Sequence, residues 1–417
     1  MKQILHTPEG VRDIYGMECI KKHTVEKELL HTMHLYGYHD IQTPTFEFFD
    51  VFSKEIGTTP SRELYKFFDR DGNTLVMRPD MTPSIARACA TIFDVENKPA
   101  RLCYKGSTFI NHSNYRGKLR ENTQAGVELV GSGGVEADAE MVSLAVECLK
   151  AVGLKEFQIA IGNVDFFQSL VSDAALEDEA KERLLELIAN RNYFGVDELL
   201  EEADAKKTSK RIFQILPELV GGVEVLEVAR RIAPNQKALD AIIRLHEMYD
   251  LLVAYGVEEF ITFDLSMNAS YEYYTGIIFR GYTYGTGDSI VKGGRYDKLL
   301  AKFGKDAPSI GFAIVIDELV GAINRQKLTI PFICKNALVL YDECREGEAI
   351  SLASDFRKKG KCTELIKYDK DYKKDSYLEY AKNAFCETVL YLKATGEIEI
   401  SNLTNGKMKV VTSKISK

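Results

Sequence analysis

Residues 101–131 read RLCYKGSTFINHSNYRGKLRENTQAGVELVG. Arg101–Phe109 and Ala125–Val130 are apolar, β-prone runs broken by polar positions, and between them lie Asn, Ser, Gly, Lys and Arg. Such a pattern predicts two strands joined by a long basic loop. Taken alone, the segment reads equally well as an ordinary hairpin.

Upstream, Thr7–Asp13 is a turn-rich entry. In Glu18–Leu35 the apolar residues Ile20, Val25, Leu29, Leu30 and Met33 recur near helical spacing, which predicts an amphipathic helix stopped at Gly37. Ile41–Glu47 reads as a strand margin around Pro44. Tyr65–Met77 reads as a hairpin turning at Asp71-Gly72. The run Arg78-Pro-Asp80-Met-Thr82-Pro carries two readings. Thr82 before Pro83 suits a helix N-cap, and the Asp80 carboxylate with the Thr82 hydroxyl can accept from an ammonium group.

Downstream, the glycine turn 131–134 precedes a helix over Glu136–Val152 and a strand over Phe157–Ile161. Residues 165–256 are charged and helical, punctuated at Gly195, Pro217, Gly221 and Pro234. The acidic run Asp197–Asp204 suits a solvated face. Phe260–Phe279 returns to β-type alternation and places the pair Tyr273-Tyr274 in a strand, where packing and ligand contact are both open. Gly293-Gly294 is weak support for a phosphate loop. In residues 335–417, strand-like and helical stretches alternate, which implies an α/β layer.

Length and composition bound the function. A chain of 417 residues suggests two to three domains at roughly 100–200 residues each. The apolar fraction of 45% is ordinary for a globular protein, and no run of about 18 apolar residues predicts a membrane span. The N-terminal stretch lacks the apolar centre of a signal peptide. Eight scattered cysteines without a CxxC pair read as reduced thiols of a cytoplasmic protein, not as a disulfide frame or a zinc site. The net charge of −8 argues against a broad nucleic-acid surface.

The quoted stretch resembles motif 2 of the class II aminoacyl-tRNA synthetases in its histidyl form, with Phe109, Gly117, Arg120, Gln124 and Glu128 at matching positions. The helix 18–35 with Thr43-Pro44-x-x-Glu47 resembles motif 1, which forms the dimer interface in that family. Ile290–Leu319 resembles motif 3 through Lys292–Asp297 and Ile310–Ile314. The resemblance implies an α+β fold: a synthetase-like antiparallel sheet flanked by helices over residues 1–325, a helical insertion at about 165–256, and a C-terminal α/β domain at 335–417 similar to an anticodon-binding domain. It implies a histidine pocket built from Asp80, Thr82, Gln124, Glu128, Tyr273 and Tyr274. Asp80 and Thr82 stand where the family holds the α-amino group, and the Glu128 carboxylate with the tyrosine phenols offers the groups an imidazole needs for donor and acceptor bonds.

Three arginines of the family pattern are missing. Ile110 replaces the one that grips the ATP α-phosphate and the substrate carboxylate. Ala269 replaces the histidine-specific catalytic one, and Glu318 replaces the one that clamps the γ-phosphate. Adenylate formation needs preorganised cations around a negatively charged phosphorus, and removing one such donor costs on the order of 10²–10³ in rate. Nearby cations at Arg116, Lys118, Arg120, Arg280, Lys292 and Arg295 give no reason to expect that geometry restored. A kept amino-acid pocket beside a lost ATP clamp is similar to the regulatory subunits of ATP phosphoribosyltransferase. That resemblance implies no catalytic residues, no cofactor and no metal. It further implies a short-form catalytic chain as partner in the first step of histidine biosynthesis, self-association through motif 1, and histidine as effector. Asn111 and Asn268 are the positional candidates for holding the histidine carboxylate. A working histidyl-tRNA synthetase and a tRNA-binding amino-acid sensor are the alternatives.

Overall fold

The computed structural model describes residues 5–52, 59–95, 97–112, 118–267, 274–328 and 336–412. It divides into two compact units, residues 1–13 with 22–330, and residues 14–21 with 331–417. Among the described residues no helix is long and apolar enough to cross a membrane.

Helix α1 (Gly16–Leu35) buries Val25, Leu29 and Met33, one residue per turn on a single face. Gly37 closes it at φ +80°, its N–H donating to the His34 carbonyl at 2.9 Å. Strand β1 (His39–Asp40) follows. Strands β2 (Phe46–Phe48), β3 (Lys66–Phe68) and β4 (Thr74–Met77) form a small antiparallel sheet in the order β2-β4-β3. The β3–β4 turn is held by Asp69 Oδ1, which accepts from the Asp71 and Asn73 amides, with Gly72 at φ +85°.

Next come α2 (Thr82–Ile92), β5 (Ala100–Phe109), β6 (Glu121–Val130), α3 (Val135–Ala151) and β7 (Phe157–Asn163). The 165–256 region holds α4 (Val164–Asp173), α5 (Asp178–Ala189), α6 (Tyr193–Glu202), α7 (Lys207–Ile215), a short β8 (Val220–Gly221), α8 (Glu224–Ile232) and α9 (Gln236–Tyr255). Strands β9 (Ile261–Asp264), β10 (Ile277–Thr283), β11 (Val291–Arg295) and β12 (Ser309–Val315) lead to α10 (Ile316–Arg325). The nine-stranded sheet runs β1-β5-β6-β12-β11-β10-β7-β9-β8, antiparallel except at β1–β5 and β7–β9.

The second unit contains β13 (Asn336–Tyr341), α11 (Glu346–Lys358), β14 (Thr363–Lys367), α12 (Lys374–Asn383), β15 (Cys386–Leu392), β16 (Glu397–Asn402) and β17 (Met408–Thr412). Its sheet order is β14-β13-β15-β16-β17, parallel in the first three strands and antiparallel in the last two.

Several details differ from the sequence expectation. Strand β6 starts at Glu121, not Ala125, because pairing with β5 extends through the polar residues to Phe109↔Glu121. Gly195 lies inside α6; the chain breaks just before it, where the Asn192 side chain caps the new helix by accepting from the Gly195 amide at 3.0 Å. The alternation over 260–279 is not one strand. Asp264 Oδ1 accepts from the Ser266 amide and hydroxyl at 3.1 and 2.5 Å, and the chain leaves the sheet. Tyr274 therefore stands outside any strand, and Tyr273 lies outside the described residues.

One buried charge cluster ties the sheet to the helices. Asp138 of α3 is fully buried and accepts from Arg295 of β11 at 2.9 and 2.5 Å and from Arg244 of α9 at 2.6 Å. The two guanidinium groups also hold the Ser132 and Gly133 carbonyls. Removing one partner of such a group leaves uncompensated buried charge. Asp138→Ala is expected to lower stability by about 3–5 kcal/mol, read as a shift of the urea midpoint. An unchanged midpoint would remove this cluster from the account.

Candidate functional site: a carboxyl-centred cavity

Alternation across three neighbouring strands builds the floor of a cavity. In β6, Gln124, Gly126 and Glu128 share one face. In β12 the same face carries Gly311, Ala313 and Val315, and in β11 it carries Lys292 and Gly294, with Tyr296 just beyond. Registry sets Glu128 opposite Gly311, and Gly311 opposite Gly294; Gly126 faces Ala313, which faces Lys292. The other face of these strands packs Val127, Leu129, Ile310 and Ile314 into the core. The small residues keep the floor open: a Cβ on Gly311 would lie 1.8 Å from Glu128 Oε2, and one on Gly294 would lie 2.8 Å from the Tyr274 ring. The resulting cavity is about 280 Å³.

Glu128 sits at its centre, 1% exposed. Its Oε1 accepts from the Thr82 hydroxyl at 2.7 Å, and its Oε2 accepts from the Tyr296 hydroxyl. Burial pushes the carboxyl from its ordinary 4.5 up to about 8, against the pull of the two hydroxyls and with help from the Asp80 charge. Burial and the same carboxyl drive the Tyr296 and Tyr104 phenols well above their usual range.

Of the expected site residues, Asp80, Thr82, Gln124, Glu128 and Tyr274 all line this one cavity. Thr82 is not the N-cap. It is the first helical residue of α2, and its hydroxyl proton goes to Glu128. Asp80 does the capping instead, Oδ1 accepting from the Met81 and Thr82 amides at 2.7 and 3.4 Å. The Thr82 oxygen keeps lone pairs for an incoming donor. Gln124 Oε1 is buried and finds no hydrogen-bond partner among the described residues; neither does the Tyr104 hydroxyl. A buried acceptor without a partner is costly unless a ligand or water completes it.

Tyr296 and Tyr104 were not singled out from the sequence. Strand alternation from Lys292 and Gly294 points to Tyr296. Tyr104 stands opposite Gly126, which has no side chain to fill the place its hydroxyl takes.

The cations sort clearly. Arg295 is taken up by Asp138. Arg120 pairs with Glu9 at 3.9 Å and packs against Gly10. Arg78 is buried, holding the Ser107, Thr43 and Pro44 carbonyls. Arg280 does not line the cavity. Lys118 and Lys292 do line it, and both lie against Asp288 Oδ2, at 3.3 and 3.4 Å. Ile110 and Glu318 line the same space. Asn111 does not; its amide bonds the Glu63 carbonyl at 2.8 Å. Arg116, Gly117, Asn268 and Ala269 lie outside the described residues.

A family model described as histidyl-tRNA synthetase matches residues 10–319. A protein of Acetivibrio thermocellus named ATP phosphoribosyltransferase regulatory subunit is 36% identical over 408 residues, covering 98% of this chain and 97% of its own. The chain belongs to the histidyl-tRNA synthetase-like family of ATP phosphoribosyltransferase regulatory subunits. A Clostridium acetobutylicum relative of the same name is 38% identical over 366 residues, covering 87% of this chain and 90% of its own. A crystal structure described as an ATP phosphoribosyltransferase regulatory subunit/histidyl-tRNA synthetase from Bacillus halodurans C superposes with TM-score 0.83 at 31% identity, over 94% of this chain and 99% of that one. Histidyl-tRNA synthetase from Nostoc sp. PCC 7120 shares the fold, with TM-score 0.81 at 18% identity, over 98% of this chain and 96% of its own.

The pH dependence of stability tests the placement of Glu128. In the folded family member the carboxyl keeps its proton up to about pH 8, whereas the unfolded chain releases it near 4.5. The native state thus binds more protons across that window, and stability falls as pH rises through it. Relative to Glu128→Gln, the wild-type chain is expected to lose up to about 1.4 kcal/mol per pH unit between those limits. Parallel urea-midpoint curves for the two proteins from pH 5 to 8 would contradict it.

Proposed function

We propose that this chain performs no chemistry itself and acts as the histidine-responsive partner of a short-form ATP phosphoribosyltransferase catalytic chain, in the first step of histidine biosynthesis. The name carried by its relatives supports the partner, and the make-up of the cavity supports the lack of chemistry. Among the described residues, five carboxyl groups (Glu63, Asp80, Glu128, Asp288, Glu318) line it against two ammonium groups already drawn to one of those carboxylates. That balance disfavours a polyphosphate and favours a zwitterion with an additional N–H donor.

Histidine suits it as follows. Its α-ammonium group lies toward Asp80, Gln124 Oε1 and the Thr82 oxygen. Its imidazole N–H lies toward Glu128, beside Tyr274 and, by the family pattern, Tyr273. Lys118 and Lys292, sharing one counter-charge between them, take the carboxylate in place of the arginine lost at Ile110. Feedback then requires that histidine bind more tightly to one state of the complex than to the other. We further propose that the chain dimerises through α1 and the 43–47 segment.

Calorimetry on the chain alone and on the complex is expected to give saturable histidine binding. Glu128→Gln should weaken it by about tenfold or more, since one hydrogen bond to a charged group is worth roughly 1.5–3 kcal/mol. Silence in both preparations would end the sensor reading. A working synthetase is the second reading, and the two lysines on the cavity wall favour it. It requires histidine-dependent ATP–pyrophosphate exchange; the expected result is none above background.

A further inference from the structure

Four of the seven histidines fall within residues 23–39, and one of them meets two other ligand-type side chains at the edge of the large sheet. Strand β1 pairs in parallel with β5, and Asp40 is the registry partner of Cys103. Asp40 Oδ1 lies 3.5 Å from Cys103 Sγ and 3.1 Å from His34 Nε2. The three ligand atoms lie within 4.8 Å of one another. None of these residues lines the Glu128 cavity.

We propose that His34, Asp40 and Cys103 form a binding site for a borderline first-row divalent cation of the zinc type, with solvent completing its shell. Ligand chemistry carries the assignment: one imidazole nitrogen, one carboxylate oxygen and one sulfur are the donor types that zinc accepts together. Zinc bonds of about 2.0–2.3 Å put neighbouring tetrahedral donors roughly 3.3–3.8 Å apart, so the observed spacings need only side-chain rotation to close on an ion.

The frame beneath is rigid. Gly37 makes the turn from α1 to β1 at φ +80°. Tyr38 is 1% exposed, donates to Glu140 at 2.7 Å, and lies under the Arg101 guanidinium at 4.5 Å. Arg101 also holds the Tyr36 carbonyl at 3.1 Å. The soft ligand, Cys103, sits fully buried at the floor, and His34 and Asp40 stand exposed at the rim. Two neighbouring cations are neutralised: Lys105 pairs with Glu26 at 2.9 Å, and Arg101 pairs with Glu140.

Without an ion, burial and the adjacent Asp40 carboxylate keep the thiol protonated. A dication reverses that local field, and the thiol proton leaves to solvent as the metal–sulfur bond forms. Cysteine spacing in the sequence misses the site because its ligands are of three types from three elements.

The test is titration of the chelator-stripped full-length chain with cobalt(II). The expected result is one equivalent bound per chain, with a thiolate-to-cobalt charge-transfer band that zinc abolishes by displacement. His34→Ala, at an exposed position, should weaken binding by about tenfold or more, the range seen when even supporting groups of a metal site are lost. Cys103→Ser should remove the band, and Cys89→Ser should keep it. Should Cys103→Ser fail to fold, His34→Ala and Asp40→Asn carry the test. No saturable uptake up to millimolar cobalt, or unchanged affinity and band in His34→Ala, overturns the proposal.

Discussion

Two hydroxyl groups, those of Thr82 and Tyr296, meet a single buried carboxyl, and much of the surrounding structure is arranged to let them. Thr82 opens α2, Glu128 lies in β6, and Tyr296 follows β11, so the contact joins three separate parts of the chain. Gly311 leaves space for the carboxyl, and Gly126 and Gly294 leave space for the Tyr104 hydroxyl and the Tyr274 ring. Buried polar networks of this kind are costly when a member lacks partners. Here the members lacking partners among the described residues are an acceptor, Gln124 Oε1, and a donor-acceptor, the Tyr104 hydroxyl, near the same space. A network completed by a ligand is the physical basis for reading this region as a binding site.

Electrostatics separates binding from catalysis. Three guanidinium groups among the described residues hold structure: Arg295 on Asp138, Arg78 on backbone carbonyls, Arg120 on the N-terminal turn. Among the described residues two lysines remain on the cavity wall, and their shared carboxylate leaves about one unit of positive charge. One such charge can meet the carboxylate of an amino acid. It is poorly matched to a nucleotide triphosphate, above all with Glu318 on the same wall.

Much of the fold was legible in sequence. Spacing of Val25, Leu29 and Met33 marked α1, Gly37 its end, and Asp71-Gly72 the β3–β4 turn; α3, β7 and the alternation in the second unit were equally plain. Local side-chain chemistry hid the rest. Asn192 moved a helix start ahead of Gly195, and Asp264 with Ser266 ended a strand that alternation would have continued. At the site, residue types were readable but their hydrogen bonds were not. A threonine before a proline looks like a cap; only the approach of Glu128 from a strand 46 residues away turned its hydroxyl elsewhere. Tyr296 escaped notice because its role depends on strand registry.

At rest near neutral pH burial keeps Glu128 a neutral acid, and under the proposed function a bound imidazole N–H or ammonium group would shift it toward the carboxylate. Infrared difference spectroscopy of the full chain at pH 7, with and without histidine, observes that change directly. The expected result is a protonated-carboxyl C=O band in the free protein that is lost on adding histidine and is missing from Glu128→Gln. A free protein whose Glu128 already shows only carboxylate bands, or a C=O band indifferent to saturating histidine, would contradict it.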